Sequence, residues 1–359
     1  MQTICLITHL KTGKLTTVLS LVTKIIFASL IACVFALKTA HAQEAGAGER
    51  KVPAIFANGG TEADIETRFI EKIRELIENA EPGADIPYGF FQRGLYLSAL
   101  VSATELAKKD DAAAQTLLGE LYRGGVGVRQ DLEAAVSWYT LAANNGNREA
   151  AFQLGFMYLD GIGTEKDKLK AAKYFMLAAD KGHVLALYNV GLMYLTGDPL
   201  EKNFEKAAPL LLQAAKDGNH DAQFAIAELY SEGKGIAKNE ILATVYFGQA
   251  ARGGHDTAQL AYAERLLFGK GIGKNEDDAA LWFIRRAHKG NVIAQNRLAH
   301  LYRLGKGVAL DPITAASWHL ISKKRGFEDK ELDTFIEELD DEAREVATRK
   351  AEEWQPKFN

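Results

Sequence analysis

The chain of 359 residues carries 43 Lys and Arg against 47 Asp and Glu, a formal charge of −4 near neutral pH. That balance excludes the dense basic footprint with which nucleic-acid binders neutralise phosphates. Its 2 cysteines, Cys5 and Cys33, both fall within the first 42 residues, so the rest of the chain has neither disulfides nor thiol chemistry.

Residues 1–42 hold Lys11, Lys14, Lys24 and Lys38 and no acid, and the apolar run Ile25–Leu37 leads into Ala40-His41-Ala42. A positive leader, a short apolar stretch and a small-x-small site form the layout of a secretory signal peptide, and the stretch is too short to span a bilayer comfortably. The expectation is cleavage after Ala42 and a periplasmic or secreted destination. Retention as a membrane anchor, or lipidation at Cys33 through Leu30-Ile31-Ala32-Cys33, are the alternative fates. Cleavage leaves 39 basic against 47 acidic residues, which strengthens the case against nucleic acid.

Residues 43–60, with Gly46, Gly48, Pro53, Gly59 and Gly60, read as a flexible lead-in. Thr61 then opens a helix with Ile65, Phe69, Ile70, Ile73, Leu76 and Ile77 on one side, stopped by Pro82-Gly83. A second helix, over about 89–109, places Ala99 and Ala107 in phase with the elements that follow, a degenerate half-repeat. Residues 61–110 therefore read as an N-terminal cap.

From here the chain repeats itself. Ala114, Ala150, Ala186, Ala222, Ala258 and Ala294 lie 36 residues apart without insertion or deletion. Five positions on come Gly119, Gly155, Gly191, Ala227, Ala263 and Ala299, where two helices can approach closely. Three further come Tyr122, Tyr158, Tyr194, Tyr230, Leu266 and Tyr302. This spacing predicts one buried stripe on a first helix, A. Helix A stops at Gly125, Gly161, Gly197, Gly233, Gly269 and Gly305, with a second glycine at Gly127, Gly163, Gly235, Gly271 and Gly307 and Pro199 in the third copy, whose turn should differ. Asp131, Asp167, Asn203, Asn239, Asn275 and Asp311 form a column of helix N-cap residues that opens helix B. Helix B carries Ala135 and its equivalents, then bulky pairs such as Trp138-Tyr139 and Trp282-Phe283, and closes at Gly146 and its equivalents. A hairpin of this size cannot bury its apolar face alone and must stack on neighbours. Residues 328–354 read as two further helices split near Asp340-Asp341, so 328–359 forms a C-terminal cap.

The stretches AQTLLGELYRGGVGVRQDLEAAVSWYTLAANNG (114–146) and AQFAIAELYSEGKGIAKNEILATVYFGQAARGG (222–254) resemble the Sel1-like repeat, a relative of the tetratricopeptide repeat. The resemblance covers about residues 111–327. It implies an all-α fold, an αα-hairpin solenoid of six 36-residue repeats with helical caps at both ends, and a scaffold or adaptor role in the bacterial envelope.

On helix A the positions equivalent to 113, 116, 120 and 123 lie opposite the buried stripe. In tetratricopeptide-type stacks this side lines the concave groove. The first repeat gives Ala113, Thr116, Glu120 and Arg123; the second Glu149, Phe152, Phe156 and Leu159; the third Leu185, Tyr188, Leu192 and Leu195. The fourth gives Asp221, Phe224, Glu228 and Ser231, the fifth Thr257, Leu260, Glu264 and Leu267, the sixth Ile293, Asn296, His300 and Arg303. An apolar centre of Phe152, Phe156, Leu159, Leu185, Tyr188, Leu192, Leu195 and Phe224, rimmed by Glu120, Arg123, Glu228, Glu264, His300 and Arg303, is the pattern of a docking site for a partner peptide or helix. Two other arrangements use the same residues: rings packed between repeats, or a row covered by the chain's own ends. A glycan-binding or peptidoglycan-binding role is the alternative function.

No catalytic, cofactor or metal constellation stands out. The run Gly269-Lys270-Gly271-Ile272-Gly273-Lys274 sits at an ordinary inter-helix turn, whereas a phosphate loop follows a strand. His183 and His255 occupy a column that reads as a turn after helix B and are two repeats apart, too far to share a metal ion. Glu338, Asp340, Asp341, Glu342 and Glu345 read as a solvated helix face.

Overall fold

A computed structural model describes residues 62–81 and 83–356. The leader, the lead-in and Thr61 lie outside the described residues. Among the described residues there are seventeen helices and no strand. The chain divides into two compact units at Ala186/Leu187.

The first unit opens with α1 (Glu62–Glu78), α2 (Ile86–Gln92) and α3 (Tyr96–Ala107). The sequence predicts one helix where α2 and α3 stand. Gly94, at φ 74°, bends the chain between them in a conformation that only glycine adopts freely. Then follow the hairpins α4 (Ala112–Gly124) with α5 (Leu132–Asn144) and α6 (Arg148–Asp160) with α7 (Lys168–Ala179). Each packs on its sequence neighbours. Its core holds Leu100, Leu118, Leu121, Tyr122, Trp138, Tyr139, Leu154 and Phe175, all at 2% exposure or less. Burial pushes the hydroxyls of Tyr122 and Tyr139 up to about 12.

The unit boundary falls inside α8 (Val184–Thr196). The second unit continues with α9 (Phe204–Lys216), then α10 (His220–Glu232) with α11 (Glu240–Arg252), α12 (Asp256–Phe268) with α13 (Glu276–His288), and α14 (Val292–Leu304) with α15 (Pro312–Lys324). The C-terminal cap is α16 (Lys330–Glu337) and α17 (Asp341–Glu353), both packed on α15. Leu332 of α16 is fully buried in the cluster of Phe283, Leu298, Trp318 and Ile321, with Phe335 and Trp354 against it. Alanine columns bring the helices close: Ala135, Ala171, Ala207, Ala243, Ala279 and Ala315 are all at 0% exposure.

The B-helix cap column behaves as its chemistry dictates. Side chains of Asp131, Asp167, Asn203, Asn239, Asn275 and Asp311 each accept from the backbone N–H three residues on. Each such cap contributes about 1 kcal/mol. The column read as a turn after helix B is a second set of caps, at the start of helix A. Asp111, Asn147, Asn219 and Asn291 accept from the third N–H. His183 and His255 do the same through Nδ1, at 3.3 Å from the N–H of Ala186 and 3.1 Å from that of Ala258.

The two glycines of the A–B turn serve different ends. Gly125, Gly161, Gly233, Gly269 and Gly305 are left-handed helix caps. The second glycine sets the spacing between repeats. A Cβ on Gly163 would lie 2.4 Å from the Leu132 carbonyl oxygen, and one on Gly235 2.1 Å from that of Phe204. In the third repeat Pro199 stands at this place, after a cis peptide bond with Asp198.

Candidate functional site

Residues at i, i+4 and i+7 of an α-helix share one face, so each A helix presents a short row beside its buried stripe. Those rows differ from repeat to repeat.

In the first unit, Glu120 of α4 is half-buried. Burial raises its carboxyl pKa, with Glu149 adding to the rise and Arg123 opposing it. Arg123 is exposed. On α6, Phe152 is 5% exposed. Its ring stacks on His183 at 4.1 Å and tilts against Phe175 of α7 at 5.7 Å. Phe156 sets its edge against both Phe152 and Phe175, at 4.9 and 5.1 Å. Both rings pack inside their own hairpin, and Phe152 alone extends to His183 at the start of the next helix. His183 locks them: its Nδ1 caps helix α8, so the proton sits on Nε2, which donates to Glu149 at 3.1 Å. Leu159 is half-buried and Leu185 is 47% exposed.

In the second unit, α8 offers Tyr188 and Leu195, both half-buried, and Leu192, 38% exposed. Burial raises the Tyr188 hydroxyl pKa, and Asp221 raises it further. On α10, Phe224 repeats the arrangement of Phe152, with His255 stacked at 4.4 Å and Phe247 at 5.6 Å. Glu228, one turn on, is an exposed residue in a partly enclosed place. Its carboxyl pKa is raised by burial and by Glu232, against Lys234. On α12, Leu260 and Glu264 are half-buried, while Leu267 is buried at 8%. Glu264 faces Arg297 at 3.4 Å.

The sixth row is already engaged. His300 and Arg303, expected as open rim, contact the chain's own C-terminal cap. Asp329, the N-cap of α16, accepts from Asn296 Nδ2 at 2.8 Å and meets His300 Nε2 at 2.9 Å. Burial alone would raise the pKa of that carboxyl, but the bonds from Asn296, His300 and the Leu332 N–H outweigh it and hold it well below the usual carboxylate range. Arg303 pairs with Glu331 and lies over the ring of Phe335 at 5.7 Å. A second tie joins the cap to α15, where fully buried His319 meets Asp333 at 2.7 Å and Lys323 reaches the same oxygen. His300, Asp329 and Glu331 bring three ligand-type atoms within 4.8 Å. Their bonds to one another, to Asn296 and to Arg303 account for that cluster without an ion.

The fifth repeat holds a polar cluster that sequence reading passed over. Arg265 stands where the other repeats have Leu121, Met157, Met193, Leu229 and Leu301, and it is 6% exposed. It donates to Glu240 at 2.9 Å, Thr244 at 3.0 Å and Ser231 at 2.6 Å, with Phe247 4.9 Å beneath the guanidinium. Departure from the repeat column was the available signal. Charged groups in this cluster are mutually satisfied, so its geometry serves packing.

Among the described residues no helix is long and apolar enough to cross a membrane. A Sel1 repeat model matches residues 112–147, 148–183, 184–219, 220–255, 257–291 and 292–327. The structure is similar to that of a Sel1 repeat protein from Oxalobacter formigenes, with 29% identity, a TM-score of 0.57 and coverage of 67% of this chain and 98% of that one. It also shares its fold with a protective antigen of uropathogenic Escherichia coli described as displaying an SLR fold, at 23% identity, a TM-score of 0.54 and coverage of 81% and 71%. Comparison with curated proteins gives no match.

Proposed function

The chain belongs to the Sel1 repeat family, whose members are generally non-catalytic protein-interaction scaffolds, and from that premise we propose that it is an exported scaffold or regulator of the bacterial cell envelope. The observation that carries the reading is the A-helix row of the second unit. Leu192 stands exposed beside Tyr188 and Leu195, with Glu228 and Glu264 at matching places on α10 and α12. Apolar groups rimmed by charge suit a peptide or helix held through a few anchors. The leader, with its cleavage site at Ala40-His41-Ala42, supports export.

The test uses Leu192→Asp, which alters an exposed position. Phe156→Asp would instead open the packing around Phe175. In-cell cross-linking of the intact chain is expected to give a discrete set of adducts that Leu192→Asp depletes. Adducts unchanged by Leu192→Asp would refute the row as the docking place. Co-sedimentation with purified sacculi, insensitive to Leu192→Asp, would favour glycan binding instead.

A further inference from the structure

The way α16 seats itself shows how one row of this fold holds a helix. Its acidic first turn meets Asn296, His300 and Arg303 of α14, and an apolar ring, Phe335, follows one turn later. The matching places on α10 and α12 are acidic instead. Glu228 and Glu264 stand where α14 has His300, and Asp221 stands near the start of α10. Asp221, itself well exposed, lies 3.7 Å from His255 Nε2, and Glu264 meets Arg297 at 3.4 Å with both side chains open to water; such an exposed ion pair contributes little and is readily exchanged. Glu228 has a raised carboxyl pKa because it is partly enclosed and beside Glu232, with Lys234 opposing the rise, so a further cation brought to it favours its charged form.

We propose that the row over α8, α10 and α12 binds a cationic amphipathic helix of a partner protein. Apolar side chains of that helix meet Leu192, Leu195 and Tyr188, and its lysines or arginines meet Asp221, Glu228 and Glu264. The proposal rests on the scaffold reading above and adds the chemistry of the partner. Two steps between neighbouring helices, at about 10 Å each, are matched by a helix of about 14 residues at 1.5 Å per residue. Charge complementarity of this kind acts on encounter and selectivity, and weakens as salt shortens the Debye length to about 8 Å at 0.15 M.

The experiment measures fluorescence anisotropy of two labelled synthetic helices of about 14 residues titrated with the full chain. Both carry the same leucine face; one has lysines on its polar face and the other glutamates. The lysine helix is expected to bind about tenfold more tightly. Glu228→Lys with Glu264→Lys should erase that preference. Asp217→Lys with Glu353→Lys, the same change in net charge at exposed places away from the row, should leave it. Should circular dichroism show the reversed pair unfolded, Glu228→Gln with Glu264→Gln makes the same comparison. Equal binding of the two helices, or equal effects of the two lysine pairs, overturns the proposal. If the glutamate helix binds and Leu192→Asp abolishes its binding, the partner's sign is wrong and the scaffold reading stands. If Leu192→Asp changes neither titration, that reading of the row falls as well.

Discussion

Replacing Gly235 by alanine tests whether the second turn glycine sets the spacing between repeats. Gly235 has φ 65°, and a Cβ there would lie 2.1 Å from the carbonyl oxygen and 2.2 Å from the carbonyl carbon of Phe204. Two costs combine. Holding alanine in the left-handed region costs about 1 kcal/mol. The clash is with backbone at the start of α9, which no rotamer change relieves, and overpacking of this kind adds about 2 kcal/mol. The control is Gly254→Ala, at φ 94° with nothing within 4 Å of the new methyl, where only the first cost applies. Thermal unfolding followed by circular dichroism should show Gly235→Ala melting on the order of 6 °C below wild type and Gly254→Ala on the order of 2 °C below it. Equal losses at the two positions would refute the spacing role and leave only the φ requirement.

Four further outcomes follow from other sites in the chain. The pKa of Asp329 is depressed in the folded chain, so its stabilisation is complete above the ordinary aspartate value of about 3.9 and is lost as pH falls below it. An Asp329→Asn chain should therefore melt lower than wild type at neutral pH, with the gap closing below about pH 4, as read from melts across a pH series. Arg265→Leu restores the residue type of its column and removes a buried guanidinium whose carboxylate partner is half-exposed, so stability should stay within about 1 kcal/mol or rise. Glu240→Ala, which leaves Arg265 buried without its carboxylate, should cost about 2–3 kcal/mol in urea unfolding. Gly155→Leu drives a side chain into Phe175, whose ring would lie 2.7 Å from a Cβ there. It should cost about 1–3 kcal/mol, whereas Ala227→Gly, at the same repeat position, should cost less because it adds no volume.

The repeat made most of this fold legible. Small residues where helices touch, glycines at the turns and one column of caps each recur for a local physical reason, and their phase alone places the twelve helices of the six hairpins to within a few residues. What escaped is what the phase does not encode. His183 and His255 read as turn residues because histidine is an uncommon cap, and only their Nδ1 positions show the role. Phe152 and Phe156 fall on the row side by helical register, yet their rings are long enough to reach back to His183 and Phe175. His300 and Arg303 gave no sign of their occupant, because Asp329 and Glu331 are distant in sequence and outside the repeat. Arg265 and His319 were visible as outliers in apolar columns. Their partners, Glu240 and Asp333, lie 25 and 14 residues away and follow no column.

The C-terminal cap also governs how many hairpins can be joined. A stack of identical units has no intrinsic reason to stop, since the face that receives one hairpin is presented again by the next. Here Leu332, Phe335 and Trp354 pack into the cluster of Trp318 and Ile321, and Asp329 and Asp333 bond to His300 and His319 of the last repeat. A chain ending at Gly326 would leave that apolar end bare. A bare apolar face of this kind is an association surface. The cap ends the series by covering the face that a further hairpin would take.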